Sequence, residues 1–142
     1  VLYSDLTECF PYDDAVYMLA VTGAQLRRML KHMLRDEVWQ GAHTEFYQLS
    51  KGMRAVYDRQ KHEFLELSYE SEPVVDSQLY TVGLQNFHFL NMEENLRVSR
   101  EEVEKNRKIR IVATSCREIL DEYLTAHQLL EHRVEGRLVL VN

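Results

Sequence analysis

Residues 15–34 read AVYMLAVTGAQLRRMLKHML. The first seven positions are apolar or aromatic with no polar alternation, the pattern of a strand covered on both faces. Thr22 then supplies a hydroxyl for a helix N-cap. Leu26, Met29, Leu30, Met33 and Leu34 recur at i, i+3, i+4, i+7 and i+8, a single apolar stripe on a helix of about 14 residues. Arg27, Arg28, Lys31 and Arg35 alternate with that stripe, and a solvated helix face is the heavier reading of them.

Working outward, Ser4-Asp5-Leu6-Thr7-Glu8 carries a cap residue and first-turn acids, so a short helix runs into Cys9 and stops before Pro11. Downstream the pattern changes to short strands at 46–49, 53–57, 64–69 and 80–84. Lys51-Gly52, Asp58-Arg59 and a Ser71-Glu72-Pro73 turn separate them. Ser99 to Glu102 and Ser115 to Glu118 both match the S-x-x-E capping box and mark two more helix starts. The second of these helices has Ile119, Leu120, Tyr123 and Leu124 as its expected buried edge. Residues 109–113 read as a strand, and Gly136 turns the chain into a last strand at 138–141. The expected class is α+β: short strands in a mixed sheet packed with about three to four helices.

A chain of 142 residues fits one domain. Its 45% hydrophobic and 28% charged content is that of a chain that folds rather than one that stays disordered. No apolar run approaches the roughly 20 residues that span a bilayer, so no membrane span is expected. Seventeen Lys and Arg against 23 Asp and Glu leave a net charge of −6, which opposes nucleic-acid phosphates and anionic membranes. Cys9 and Cys116 are far apart with no C-x-x-C, so neither a disulfide framework nor a zinc knuckle is indicated, and a single bridge stays open. The first residues lack the features of a signal peptide, which places any targeting segment outside this chain.

A search for chemistry returns little that is self-contained. The six histidines form no metal-binding string. Cys116 lies at a helix start, where a thiolate is favoured, although a small residue packed at a strand-to-helix turn explains it as well. Asp13-Asp14 and Glu93-Glu94 are acidic pairs, read as solvated loop carboxylates in the absence of a third ligand. Tyr12 follows Pro11 in a loop and Phe87 follows Asn86 where a strand ends. Two such rings either clamp a planar ligand or finish the core, and composition alone weighs toward the core.

Five strings taken together carry more: Leu6-Thr7-Glu8-Cys9-Phe10-Pro11-Tyr12-Asp13-Asp14, Val21-Thr22-Gly23-Ala24-Gln25-Leu26, Phe46-Tyr47-Gln48-Leu49-Ser50-Lys51-Gly52-Met53, Leu79-Tyr80-Thr81-Val82-Gly83-Leu84-Gln85-Asn86-Phe87, and the closing Val134-Glu135-Gly136-Arg137-Leu138. In order and spacing they resemble the C-terminal domain of the 5′-nucleotidase family. The resemblance implies that residues 1–142 are the nucleoside-binding C-terminal domain of a two-domain phosphoester hydrolase, truncated on its N-terminal side. It implies a partner metallophosphatase domain in the same parent chain holding two divalent metal ions, no cofactor in this segment, and a nucleotide or nucleoside substrate. By the same resemblance Tyr12 and Phe87 are the two walls of a base clamp, and Asp14 stands where the family has an asparagine facing the base. Gly41 matches a glycine whose backbone lies against the ligand, and Asn86 precedes the second wall. Glu93 falls at the offset of a ribose-contacting aspartate, although His88-Phe89-Leu90-Asn91-Met92 replaces the family's glycine-rich string. Nucleotide sugars, cyclic nucleotides and a non-catalytic binding module are the alternatives. Export or attachment to the cell surface is the implied location, with a cytoplasmic relative as the alternative.

Overall fold

The computed structural model describes residues 3–41, 48–127, 129–131 and 133–142. Its elements run α1 (Tyr3–Cys9), β1 (Val16–Thr22), α2 (Gly23–Met33), a single 3-10 turn (Asp36–Trp39), β2 (Met53–Asp58), β3 (Glu63–Tyr69), β4 (Glu72–Pro73) and β5 (Leu79–Gln85). They continue with α3 (Asn86–Leu90), α4 (Met92–Leu96), α5 (Arg100–Asn106), β6 (Arg110–Ala113), α6 (Cys116–Ala126) and β7 (Leu138–Val141). The class is α+β as the sequence indicates, but the strands divide between two sheets. One has the order β5-β1-β6 and the other β4-β3-β2-β7.

β1 lies at the centre of the smaller sheet, antiparallel to both neighbours, with Val16 opposite Gln85 and Thr22 opposite Leu79. Leu19, Ala20 and Val21 are buried in succession, so both faces of the strand are covered there, as its unbroken apolar run requires. In the larger sheet β2 pairs antiparallel with β3 and parallel with β7. β4 is a two-residue edge on β3, where the sequence suggests only a turn, because Glu72 and Pro73 pair with Tyr69 and Ser68.

α2 packs on β1, β5 and α4. Leu26, Met29, Leu30 and Met33 are buried on it and share one continuous core with Leu19, Val21, Ala55, Leu67 and Leu84 from both sheets, and Leu34 is buried just beyond the helix. The start of α2 accounts for the Thr22-Gly23-Ala24-Gln25 string. The Thr22 hydroxyl accepts from the Gln25 amide at 3.2 Å, and the Gln25 carboxamide oxygen accepts from the Thr22 amide at 2.8 Å, a complete capping box. The amides of Gly23 and Ala24 donate to the carbonyls of Gln78 and Asp76. Gly23 has to be glycine because a Cβ there would stand 2.1 Å from the Val75 carbonyl oxygen. This helix N-terminus is saturated by the protein itself.

Three expectations need correction. The strand at 46–49 falls partly outside the described residues, and Gln48 and Leu49 are in neither helix nor strand. Ile119 and Tyr123 are 43% and 47% exposed, and Cys116 is the buried residue of α6, because the helix packs against the small α1 rather than a sheet face. Residues 86–96, read as strand end and loop, form two five-residue helices without side-chain caps.

Candidate functional site

β1 and β5 are antiparallel, so the start of one and the end of the other share one end of the sheet. The chain enters β1 through Pro11, Tyr12, Asp13 and Asp14, and leaves β5 through Gln85 into Asn86 and Phe87. Cys116, at the start of α6, joins these two approaches. Its amide donates to the Asp14 carbonyl at 2.9 Å, and its sulfur accepts from the Gln85 carboxamide at 3.6 Å. It is a free, buried thiol, which makes it the packed residue of a strand-to-helix turn.

Asp13 holds the entry loop in place. Its carboxylate accepts from the Ser115 hydroxyl at 2.7 and 2.9 Å and from the Arg117 amide at 3.1 Å. Arg117 reaches back to the carbonyls of Phe10 and Pro11. These bonds to Ser115 and Arg117 stabilise the charged form and hold the Asp13 carboxyl below its usual range. Asp13 is therefore part of the cap of α6 and not half of a solvated acidic pair. Ser115 still accepts from the Glu118 amide and gives its hydroxyl proton to Asp13, so it caps α6 and pins the entry loop at once. No sequence signal joins residues about a hundred positions apart in this way, beyond the presence of an acid in a loop and a Ser-x-x-Glu elsewhere.

On this pinned loop Tyr12 is 80% exposed, and across the sheet end Phe87 is 50% exposed in the first turn of α3. Neither ring finishes the core. That role belongs to Phe89, buried and stacked on Tyr17 with ring centroids 4.0 Å apart. The Phe87 and His88 rings meet nearly at right angles, with centroids 5.4 Å apart. Asp14 and Asn86 are half-buried beside the two rings. The structure thus gathers Tyr12, Asp14, Asn86 and Phe87 at one end of the small sheet.

The remaining two candidates sit on other elements. Gly41 follows the 3-10 turn with φ of +79°, a backbone state that glycine adopts without penalty, and space is open where a side chain would be. Its neighbour Trp39 donates to the Leu34 carbonyl and lies under the Arg59 guanidinium. Glu93 is exposed in the first turn of α4, with Glu94 beside it, so this acidic pair is helical and complements the helix dipole. Among the described residues no group of three or more His, Cys, Asp or Glu is placed to hold a metal ion. No helix among them is long and apolar enough to cross a membrane.

An antiparallel-centred small sheet, a glycine-started helix laid across it and a pinned aromatic loop at its end define a small α+β domain. The profile of the 5′-nucleotidase C-terminal domain matches residues 1–98, and the chain belongs to that family. Among solved structures it is similar to a 5′-nucleotidase precursor from Thermus thermophilus (TM-score 0.80, 18% identity), which it matches over 100% of its own length and 28% of that chain. It is also similar to the NAD nucleotidase of Haemophilus influenzae (TM-score 0.73, 13% identity), over 100% of its own length and 27% of that chain. The sulfate thiohydrolase of Thermus thermophilus shares the fold more loosely, with a TM-score of 0.57 and 18% identity over 91% and 23% of the two chains. The chain thus spans little more than a quarter of the first two proteins. No curated protein sequence matches it significantly.

Proposed function

We propose that this chain is the substrate-binding domain of a 5′-nucleotidase-like phosphoester hydrolase, with Tyr12 and Phe87 stacking on the base of a nucleotide. The observation that carries this reading is the exposure of both rings at the same end of the β1–β5 ladder, on a loop held by Asp13 and a helix start held by β5. Asp14 and Asn86 lie beside the rings as polar contacts for base or ribose, and Gly41 and Glu93 complete the family's set. Asp14 accepts hydrogen bonds but cannot donate them when ionised, so it selects a base edge that presents donors.

In this reading the chemistry belongs to a metallophosphatase domain elsewhere in the parent chain, where two metal ions stabilise an in-line displacement at phosphorus. The present domain contributes binding energy remote from the reacting atoms. Ile111, Val112, Ile119 and Tyr123, left part-exposed on β6 and α6, supply an apolar seat for that companion domain.

The test is nucleotide hydrolysis by the full-length parent with Tyr12→Ala and with Phe87→Ala. Stacking is worth about 1 to 3 kcal/mol per base, so each variant should raise KM by about 5- to 150-fold. Unchanged KM and kcat in both variants would remove the clamp. A substrate shift toward nucleotide sugars or cyclic nucleotides is favoured by one feature: residues 86–96 form α3 and α4 where the family has a glycine-rich loop. The fold is shared by proteins named for different substrates, so fold alone does not choose among them. A panel of nucleoside monophosphates, cyclic nucleotides and nucleotide sugars assayed on the same protein decides the matter.

A further inference from the structure

Along the outer face of α2 runs an open groove of about 630 Å³ whose lining includes Arg27, Arg28, Lys31, His32, Arg35 and Arg97. This concentration of positive charge is out of keeping with a chain of net charge −6. Part of it has a structural explanation. Arg27 bonds the Asp76 carboxylate at 3.3 Å and the Val74 carbonyl at 3.1 Å, and Arg28 bonds Glu102 at 2.6 Å, so both staple α2 to its neighbours. Toward the C-terminal end of the helix that explanation stops. Among the described residues neither Lys31 nor Arg97 has a carboxylate within 4 Å, and Arg35 is 3.9 Å from Glu37 while donating to the His32 carbonyl.

Two further observations mark this end of the groove. Arg97 follows α4 in the left-handed conformation, φ +56°, a position usually taken by glycine or asparagine and costly for other residues. That turn sets the Arg97 side chain on the rim of the groove. His32, half-buried between these cations, is held below its ordinary pKa by burial first and then by Arg35 and Arg97, against smaller opposing contributions from the Glu94 carbonyl and Glu37. The carboxylates of Asp36, Glu37 and Asp76 also line the groove, Asp76 paired with Arg27 and Asp36 standing 3.7 Å from the His62 imidazole.

We infer that the groove end formed by Lys31, His32, Arg35 and Arg97 is a binding site for a compact phosphate-bearing anion, separate from the Tyr12–Phe87 site. Lys31 and Arg97 approach it from two different elements, which lets them meet a doubly charged group from two sides. Neither Tyr12 nor Phe87 lines the groove, so a ligand without a base tests it.

The test uses the full-length parent protein with ¹³C-labelled histidine, the His32 resonance being assigned through His32→Gln. Inorganic pyrophosphate and ribose 5-phosphate are titrated separately, and whichever binds more tightly identifies an inorganic or a sugar-phosphate ligand. A saturable displacement of the His32 resonance is expected, about tenfold or more weaker in the Lys31→Glu, Arg97→Glu double variant and unaltered in Tyr12→Ala. The milder Lys31→Gln, Arg97→Asn pair serves if charge reversal perturbs folding, because asparagine tolerates the left-handed position. A His32 resonance that neither anion moves, or a displacement equally strong in both double variants, overturns the inference. Loss of the displacement in Tyr12→Ala would merge the groove with the base site and overturn its independence, whereas failure of the clamp alone leaves the His32 readout intact.

Discussion

α2 and α6 are each eleven residues long, each begins at a hydroxyl cap and each carries apolar residues at helical spacing, yet they end in opposite situations. α2 lies across the small sheet, and its stripe is buried among residues of both sheets. α6 leaves the edge strand β6 and meets α1, a helix of seven residues, so Ile119 and Tyr123 stay nearly half-exposed. Periodicity therefore defines a face, while coverage depends on what the topology brings against it. A stripe next to a central strand is covered within the domain. One next to an edge strand is left part-exposed.

The sharpest way to break that contrast is truncation in each stripe. Leu30→Ala should cost about 2 to 5 kcal/mol of unfolding free energy in denaturant titration, because a buried leucine leaves a cavity as well as lost contacts. Ile119→Ala should cost about 1 kcal/mol or less, in keeping with partial exposure. Equal losses would mean that Ile119 is as well covered as Leu30 and would break the contrast. Gly23→Ala comes next, at about 1 to 3 kcal/mol. The added methyl meets backbone at Val75 that has no freedom to withdraw, since Gly23 and Ala24 are bonded to the same loop.

The contrast also explains what the sequence disclosed. β1, α2 and the cap at Ser99 are legible because their determinants are local: a run of apolar residues, a 3.6-residue period, a hydroxyl three positions before its partner amide. The division into two sheets is not, because it depends on β1 choosing β5 and β6, and β2 choosing β7, across long stretches of chain. α3 and α4 escape notice for a different reason. Each is five residues long and starts without a side-chain cap, so tertiary packing of Phe89, Met92 and Leu96 stabilises what local propensity does not. At the site, the exposure of Tyr12 and Phe87 follows from Pro11 and from the end of a strand, but the role of Asp13 depends on Ser115 and Arg117 and has no local trace.

The caps sharpen the comparison further. Thr22→Ala removes one half of a complete box and should cost about 1 kcal/mol in thermal unfolding. Ser115→Ala removes both the cap of α6 and the bond that holds Asp13. It should cost a similar amount in stability while also loosening the Pro11-Tyr12 loop, seen as faster amide exchange at Tyr12 and Asp13, a change absent from Thr22→Ala.

The smallest expected effect concerns Asp13 itself and has a sign fixed by linkage. Hydrogen bonds from Ser115 and from the Arg117 amide lower its folded-state pKa, while in the unfolded chain an aspartate titrates near 3.9, about its ordinary value. Above that value both states carry the charge and the bonds contribute their full stabilisation. As pH falls below it the unfolded chain takes up a proton that the folded chain still refuses, so the contribution fades until the folded carboxyl is protonated too. Asp13→Asn keeps an acceptor oxygen but loses the charge. The unfolding midpoint of the variant should lie below that of the wild type at pH 6 to 7, and the gap should close as pH drops through about 4 and lower. A gap that persists unchanged at pH 3 would show that the charge on Asp13 does not hold the loop, leaving Arg117 and the Cys116–Asp14 bond to fix the end of β1 where Tyr12 stands.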